Sequence, residues 1–481
     1  MKQTRIDRRS FLRTTSAAAA GISLPCLIPS HVLGSPGRPG ANERVNVGII
    51  GLGGRACQVA NTCFTVPLVR IAAVCDCFLP RGNDFAKRVG KEQNWTVYGD
   101  FRQMIAKENL DGVMIETTTH ARAWIAILVM QAGMDAYIEK PMCLTIAEGR
   151  QMVKAARKHH RVTQVGTQQR SIPINNWASD LVKNGAIGKI HTVLAPNFVG
   201  PFRWTKTSSQ NVKGPVDPWW ERWTNQAELR PYDPDLHHGW GKWWDYDGGG
   251  LCFGVTGWGT HSYDQINRAL GTDETGPVEV LLEEPLAMRD SGKFVGGQTV
   301  GGLSFRPTGD SSAVGGVVAS DTGADYYSMA KITGPRAKVT MKFAGGTELK
   351  LHLDGDRGPG VGAIFVGEKG KIEINRNKLA SNPKEIVRAA DNPGPIKRPE
   401  TAYHIENWAQ CIKTRKRCNA DIEYGQRSST LCYLVNIVRD VGQVGEALKW
   451  DPVAEQFTNC DEANKLLSRP RRKGYELPEI G

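Results

Sequence analysis

The turn Gly51-Leu52-Gly53-Gly54-Arg55-Ala56 constrains this chain more than any other feature, because it follows the β-rich run Val45–Ile50 and opens a helical pattern. In such a unit the first glycine permits a tight bend, the second leaves room for a pyrophosphate, and the small last residue lets helix pack on strand. The unpaired N–H groups at the helix start then face the phosphates. Asp76 lies about 20 residues further on, at the end of the next apolar run, where a carboxylate can accept both ribose hydroxyls. Its charge opposes a 2′-phosphate, so NAD is the expected cofactor. NADP becomes the alternative if Arg81 folds back toward Asp76.

From Arg44 onward short apolar runs alternate with helical patterns, which predicts a parallel sheet covered on both faces. The predicted strands are 45–50, 70–75, 112–115, 136–138 and 162–165, with helices over 101–107, 121–132 and 145–158. After Gln168 long loops separate β runs at 190–195, 278–282, 302–305, 330–333, 338–343, 347–353, 364–366 and 371–375. Helices over 401–413, 424–441 and 461–467 close the chain. The expected fold class is α/β: an N-terminal Rossmann dinucleotide-binding domain over 44–167, then an α+β domain over 168–481 with a large open, mostly antiparallel sheet. A chain of 481 residues, 40% hydrophobic, can bury both cores.

Further motifs sharpen the reading: Thr117-Thr118-Thr119-His120, Glu139-Lys140-Pro141, Gln168-Gln169-Arg170, Gly248-Gly249-Gly250 and Trp258-Gly259-Thr260-His261. With the glycine turn they make the chain resemble the Gfo/Idh/MocA oxidoreductases, named for glucose-fructose oxidoreductase and inositol dehydrogenase. The stretches Trp408–Lys413 and Trp450-Asp451-Pro452 resemble exported members. The resemblance implies that Lys140 holds the reacting hydroxyl, on a peptide bond to Pro141 expected to be cis, and that His261 takes its proton. A cation beside the oxygen stabilises a developing alkoxide, and imidazole titrates near neutrality. Cofactor contacts are expected from Gly51, Leu52, Gly53, Gly54, Arg55, Asp76, Thr117, Thr118, His120, Glu139, Lys140 and Gln168. Substrate contacts are expected from Lys140, Arg170, Trp258, His261 and Asp264. The substrate implied is a sugar, cyclitol or glycoside, and the assembly a homo-dimer or homo-tetramer.

One position departs from the family pattern: an Asp is usual four residues before the histidine, and Gly257 stands there. Asp264, Asp245 and Asp247 are the candidates to replace it. The departure keeps two other activities open, a redox glycosidase working by oxidation, elimination and reduction, and a non-catalytic sugar-binding protein that retains cofactor as a structural element.

The N-terminus, Asp7-Arg8-Arg9-Ser10-Phe11-Leu12-Arg13 before a weakly apolar stretch, resembles a twin-arginine signal over 1–35, followed by a linker over 36–43. The expected location is therefore periplasmic, with the protein exported already folded around its cofactor. The formal charge of +12 is partly carried by that segment, and no basic run alternates with aromatics, which argues against nucleic acid. No segment has the ~20 apolar residues needed to span a bilayer. Eleven cysteines without a Cys-x-x-Cys pair, and adjacent His237-His238, give no metal site. Eight of the thirteen tryptophans fall within residues 204–258. They form either a wall for sugar rings, beside Asp217, Arg222, Asp235, His237 and His238, or the filling of a loop-rich core.

Overall fold

The computed structural model describes residues 39–91, 93–250, 254–289, 299–300, 303–304, 334–353 and 360–480. The signal-like segment and the run 330–333 lie outside them, as do the ends of 302–305. Two units are distinguished, Met1–Arg44 and Val45–Gly481. In the first, Ala41–Glu43 form a single 3-10 turn in which the Gly40 N–H donates to Glu43 Oε2 at 2.8 Å.

In the second unit, β1 (Val45–Ile50) is buried at every position but Asn46, as a strand covered on both faces must be. It lies central in a six-stranded sheet with β2 (Val69–Cys75), β3 (Thr96–Tyr98), β4 (Gly112–Ile115), β5 (Asp135–Ile138) and β6 (Thr163–Val165). The order is β3-β2-β1-β4-β5-β6 and every pair is parallel. This is the doubly wound arrangement, with its switch point between β1 and β4. Helices α1 (Gly54–Cys63), α2 (Leu79–Arg88), α3 (Phe101–Lys107), α4 (Thr119–Gln131) and α5 (Ile146–Lys158) connect it. The sequence reading missed β3 and α2. The strand is three residues long with one end exposed, and the helix buries only Gly82 and Phe85, so neither has a legible apolar period.

A second sheet has nine strands. After β7 (Ile190–Pro196) and β8 (Pro277–Leu282) come β9 (Val339–Phe343), β10 (Glu348–Leu353), β11 (Gly362–Gly367), β12 (Gly370–Asn375), β13 (Lys378–Asn382), β14 (Ala447–Asp451) and β15 (Gln456–Phe457). Their order is β13-β12-β11-β7-β10-β9-β8-β14-β15, antiparallel except where β7 meets β10. One row of paired residues, Ile372, Phe365, Val193, Leu349, Met341, Val280 and Leu448, is buried right across it. Inward-facing alternation of this kind fixes the register, since a one-residue slip would turn the whole row to the other face.

Helix α6 (Pro173–Lys183) and the helix Trp258–Leu270 pack beside this sheet, with the long helix Ile422–Val441 against the latter. A salt bridge anchors them: Arg170 Nε donates to both Asp264 oxygens at 2.8 Å, and its Nη2 to Asp273 at 2.6 Å. Both side chains of the first pair are buried, and Ser428 from the long helix donates to Asp264 as well. Removing one partner strands the other's charge away from water. Asp264→Ala is therefore expected to cost about 3–5 kcal/mol in urea unfolding. A loss under about 1 kcal/mol would show that the pair holds nothing together.

Candidate active site

The glycine turn builds a cleft of about 590 Å³ at the carboxyl ends of the parallel strands. Gly51 has φ +86°, and a Cβ there would come within 2.7 Å of the Thr117 backbone, so both conformation and space demand glycine. A Cβ on Gly53 or Gly54 would meet nothing within 4 Å, because both face open space in the cleft. No side chain caps the start of α1, which leaves its first N–H groups for an anion. Asp76 accepts from the N–H of Leu52 and of Phe78, each at 2.9 Å, which fixes its carboxylate against the turn. Leu52, Arg55, Thr117 and Thr118 also line the cleft. The residues present fit a dinucleotide, with diphosphate at the glycine turn and ribose at Asp76. Arg81 does fold back: its Nη1 lies 3.7 Å from Asp76 and its Nη2 donates to His237 Nε2 at 3.0 Å.

Beyond the glycine turn, charges gather at the ends of β4 and β5. Lys140 is joined to Pro141 by a cis bond, as expected, and its Nζ donates to the Gly257 carbonyl at 2.8 Å. Gly257 caps the helix Trp258–Leu270, one turn before His261. The Lys140 pKa is lowered by burial and by the cations Arg376 and Arg122, against the fields of Glu139 and Asp247. His261 is held well below its ordinary value by burial, Arg376 and Lys140, so its imidazole is neutral. Arg376 Nη2 approaches His261 Nε2 at 3.5 Å and pairs with Glu400 at 2.9 Å. A buried amine beside a neutral imidazole can hold a hydroxyl and take its proton.

Of the three carboxylates considered for the missing family Asp, Asp247 is the one placed near this centre. Thr119 donates to it at 2.5 Å and Thr256 donates to its other oxygen, while its charge acts on Lys140 and Arg122. Asp245 instead pairs with Arg230 at 3.1 Å. None of the residues expected to touch substrate is among those lining the cleft: Lys140, Trp258 and His261 lie outside its lining, and Arg170 and Asp264 are bound to each other. His120 and Gln168, expected at the cofactor, are buried beside it. His120 Nε2 donates to the Trp223 carbonyl at 2.8 Å, and Gln168 donates to the Tyr137 hydroxyl at 3.1 Å. Trp258 is half-buried and packs on Val199. Glu139 lies 3.4 Å from Arg55. Arg122, Glu116 and Arg376 were missed: no motif marks a buried arginine or a hairpin-turn residue in a single sequence. Arg122 donates to the carbonyls of Thr117 and Pro141, each at 2.6 Å, and so ties the ends of β4 and β5 together.

The tryptophans form a separate aromatic core of Trp204, Trp220 and Trp223 with Leu236 and Tyr246. Trp220 and Trp223 stack with centroids 4.6 Å apart. This core borders the cleft near Asp76: Trp219 packs on Phe78 at 4.7 Å, and Trp223, His237, His238 and Trp240 line the same cavity as Asp76. The cluster is core, and its exposed face looks onto the cofactor cleft. Among the described residues no cluster of His, Cys, Asp or Glu could hold a metal, and no helix is long and apolar enough to cross a membrane.

Two outcomes follow from this geometry. Asp76→Ala should weaken NAD binding more than NADP binding, and Arg81→Ala should weaken NADP alone, both read by fluorescence titration; equal losses for both cofactors would displace Asp76 from the ribose. Burial holds His120 and His404 down to about 3 and His261 well below its ordinary value, so below about pH 6.5 the unfolded chain binds protons that the folded chain refuses. Stability should therefore fall with falling pH, by about 1.4 kcal/mol per unit for each histidine. Urea midpoints that stay flat from neutrality to about pH 5 would contradict this burial.

Comparison with known proteins agrees with the geometry. Residues 45–167 match the GFO_IDH_MocA profile, "Oxidoreductase family, NAD-binding Rossmann fold", and residues 176–294 and 321–477 match its "C-terminal alpha/beta domain". A glycosyl hydrolase family 109 protein of Saccharopolyspora erythraea is 29% identical over 172 residues, 32% of this chain and 38% of the relative. A myo-inositol 2-dehydrogenase of Thermotoga maritima is 24% identical over 149 residues, 31% of this chain and 44% of the relative. The chain thus spans less than half the length of these two curated relatives. Among solved structures, an Agrobacterium radiobacter oxidoreductase in complex with NAD+, L-tartaric acid and magnesium superposes with TM-score 0.53 at 14% identity, covering 86% of this chain and all (100%) of that one. The aldose-aldose oxidoreductase of Caulobacter crescentus gives 0.53 at 16%, covering 84% and 99%. A glycine cleft built for a dinucleotide, a buried lysine beside a neutral histidine, and profile matches over both sheets together place this chain in the Gfo/Idh/MocA family of NAD-dependent oxidoreductases.

Proposed function

We propose that the protein is exported and oxidises a hydroxyl of a sugar, cyclitol or glycoside with a nicotinamide cofactor that stays bound through each cycle. The observation that carries the reading is the meeting of Lys140 with the helix of His261, through the 2.8 Å bond to Gly257. Lys140 exchanges that carbonyl for the substrate hydroxyl and stabilises its developing negative charge. His261, neutral and buried, accepts the hydroxyl proton at a ring nitrogen, while Arg376 stabilises the basic form of the imidazole by disfavouring its protonation. Asp247, fixed by Thr119 and Thr256, counters the neighbouring cations and acts to raise the Lys140 pKa against its burial. When bound, the nicotinamide supplies the hydride acceptor. Trp223, Trp240 and His237 line the cleft near Asp76 and support retention by offering ring surface to the bound cofactor.

Retention suits an exported enzyme, because little free dinucleotide exists outside the cytoplasm, and a twin-arginine route moves a protein already folded around its cofactor. Denaturing the purified protein should release near-stoichiometric dinucleotide; mostly empty protein with rapid exchange would overturn the reading. Lys140→Met and His261→Ala should abolish cofactor reduction by substrate while leaving the protein folded and its dinucleotide content near wild type, with some loss of melting temperature in Lys140→Met because Asp247 loses its cation. Collapse of stability in both would return these residues to a structural role.

A second reading is favoured by the relatives named as glycosyl hydrolase family 109 proteins and by Gly257 in place of the usual Asp. In it, transient oxidation acidifies a neighbouring C–H, the leaving group is eliminated, and the electrons return to the sugar. Aryl glycosides separate the two: release of aglycone with no net reduction of cofactor selects the glycosidase, and accumulation of reduced cofactor selects the dehydrogenase.

A further inference from the structure

Glu116 follows β4 directly, and its N–H donates to the Ile50 carbonyl at 2.8 Å, so its backbone is held in the parallel ladder. The residue lines the cleft and is only 7% exposed, yet neither carboxyl oxygen has a hydrogen-bond partner among the described residues. A buried carboxyl group without donors is costly, and proteins keep one where something else completes it. The charged and titratable groups that act on it are Arg55 and Cys63 from α1, Arg122 from α4, and Tyr137 and Glu139 from β5 and its end. The two guanidiniums are engaged elsewhere, Arg55 with Glu139 and Gln58, Arg122 with the carbonyls of Thr117 and Pro141.

Strand order decides what Glu116 faces. Asp76 ends β2 on one side of β1, and Glu116 ends β4 on the other. A dinucleotide lying across this switch point with its adenosine ribose on Asp76 extends its nicotinamide half toward the β4 side. That half carries a positive charge when oxidised and none when reduced.

We propose that Glu116 is a proton site linked to the oxidation state of the bound nicotinamide, ionised while the ring is oxidised and protonated once it is reduced. The inference rests on the reading that a bound nicotinamide is reduced and reoxidised in this cleft. In the net step the substrate C–H passes to the ring with its electron pair, the alcohol becomes a carbonyl, its O–H proton is released, and the carboxylate takes up one proton. A cation and an anion become two neutral groups, so the net charge of the cleft is unchanged. Burial and Glu139 push the Glu116 pKa up to about 8, against Arg55 and Arg122, and a neighbouring cation lowers it while loss of that cation raises it. The link lets a retained cofactor be reduced and reoxidised without stranding charge in a buried site.

The test is a spectroscopic redox titration of the holoprotein, loaded with NAD, at a series of pH values from roughly 6 to 10. The free nicotinamide couple takes up one proton per two electrons. Wild type is expected to take up two across the window around the Glu116 pKa, and Glu116→Gln only one. Infrared difference spectra, reduced minus oxidised, should gain a protonated-carboxyl band in wild type that is lost in Glu116→Gln and shifted in Glu116→Asp. Should Glu116→Gln fail to fold, the wild-type proton count and carboxyl band still decide. One proton with no band overturns the inference. A second proton that persists in Glu116→Gln, or disappears only in Glu139→Gln, assigns the uptake to another group and overturns it equally. Protein that binds no dinucleotide at all would refute the functional reading itself, an outcome distinct from bound cofactor titrating with one proton.

Discussion

Taking the Lys140 ammonium out of water is the constraint around which the rest of the site is arranged. Its hydrogen bond to Gly257 ties the end of β5 to the cap of the helix that carries His261, and so joins the nucleotide sheet to the nine-stranded sheet. A buried cation needs opposite charge nearby, and Asp247 and Glu139 supply it. Asp247 in turn is buried only because Thr119 and Thr256 each donate to it, one from the start of α4 and one from the loop before the helix of His261. Lys140 and Asp247 are thus each held by neighbours on other elements, while Glu116 is left without a hydrogen-bond partner among the described residues.

That arrangement also accounts for Gly257. A carboxylate four residues before the histidine would sit where the lysine meets the helix cap. Here the carbonyl of that residue takes the lysine, and the carboxylate near it is Asp247, earlier in the same segment that leads into the helix. Glycine at the cap leaves the carbonyl accessible, and a buried carboxylate ten residues earlier restores the charge balance.

The aromatic segment shows how one composition serves two ends. Stacked Trp220 and Trp223, on the short helix Pro218–Thr224, build a core among short helices and loops, and Trp223 lines the cleft together with His237 and Trp240. A sugar-facing wall and a core filling were both readable from the clustering of tryptophans, because burial and ligand contact draw on the same apolar ring surface. Which solvent or ligand a ring faces depends on where residues 217–240 fold back, and they return to Phe78 and Arg81 after β2.

By itself the sequence determined what local physics controls. Gly51 must be glycine because of its positive φ, Val45–Ile50 reads as a doubly covered strand because only Asn46 in it is polar, and Asp76 follows the next strand where the cleft needs an acceptor. The long helix Ile422–Val441 and most strands of the second sheet were readable from period and length for the same reason. Tertiary structure alone decided which charges meet. Arg170 reads as a ligand in sequence and is spent on Asp264, 94 residues away, whereas Arg122, Glu116 and Arg376 carry no local signal and stand at the centre. Burial and Coulomb fields act between residues distant along the chain, so the protonation state of each group at this site was set only when the two sheets came together.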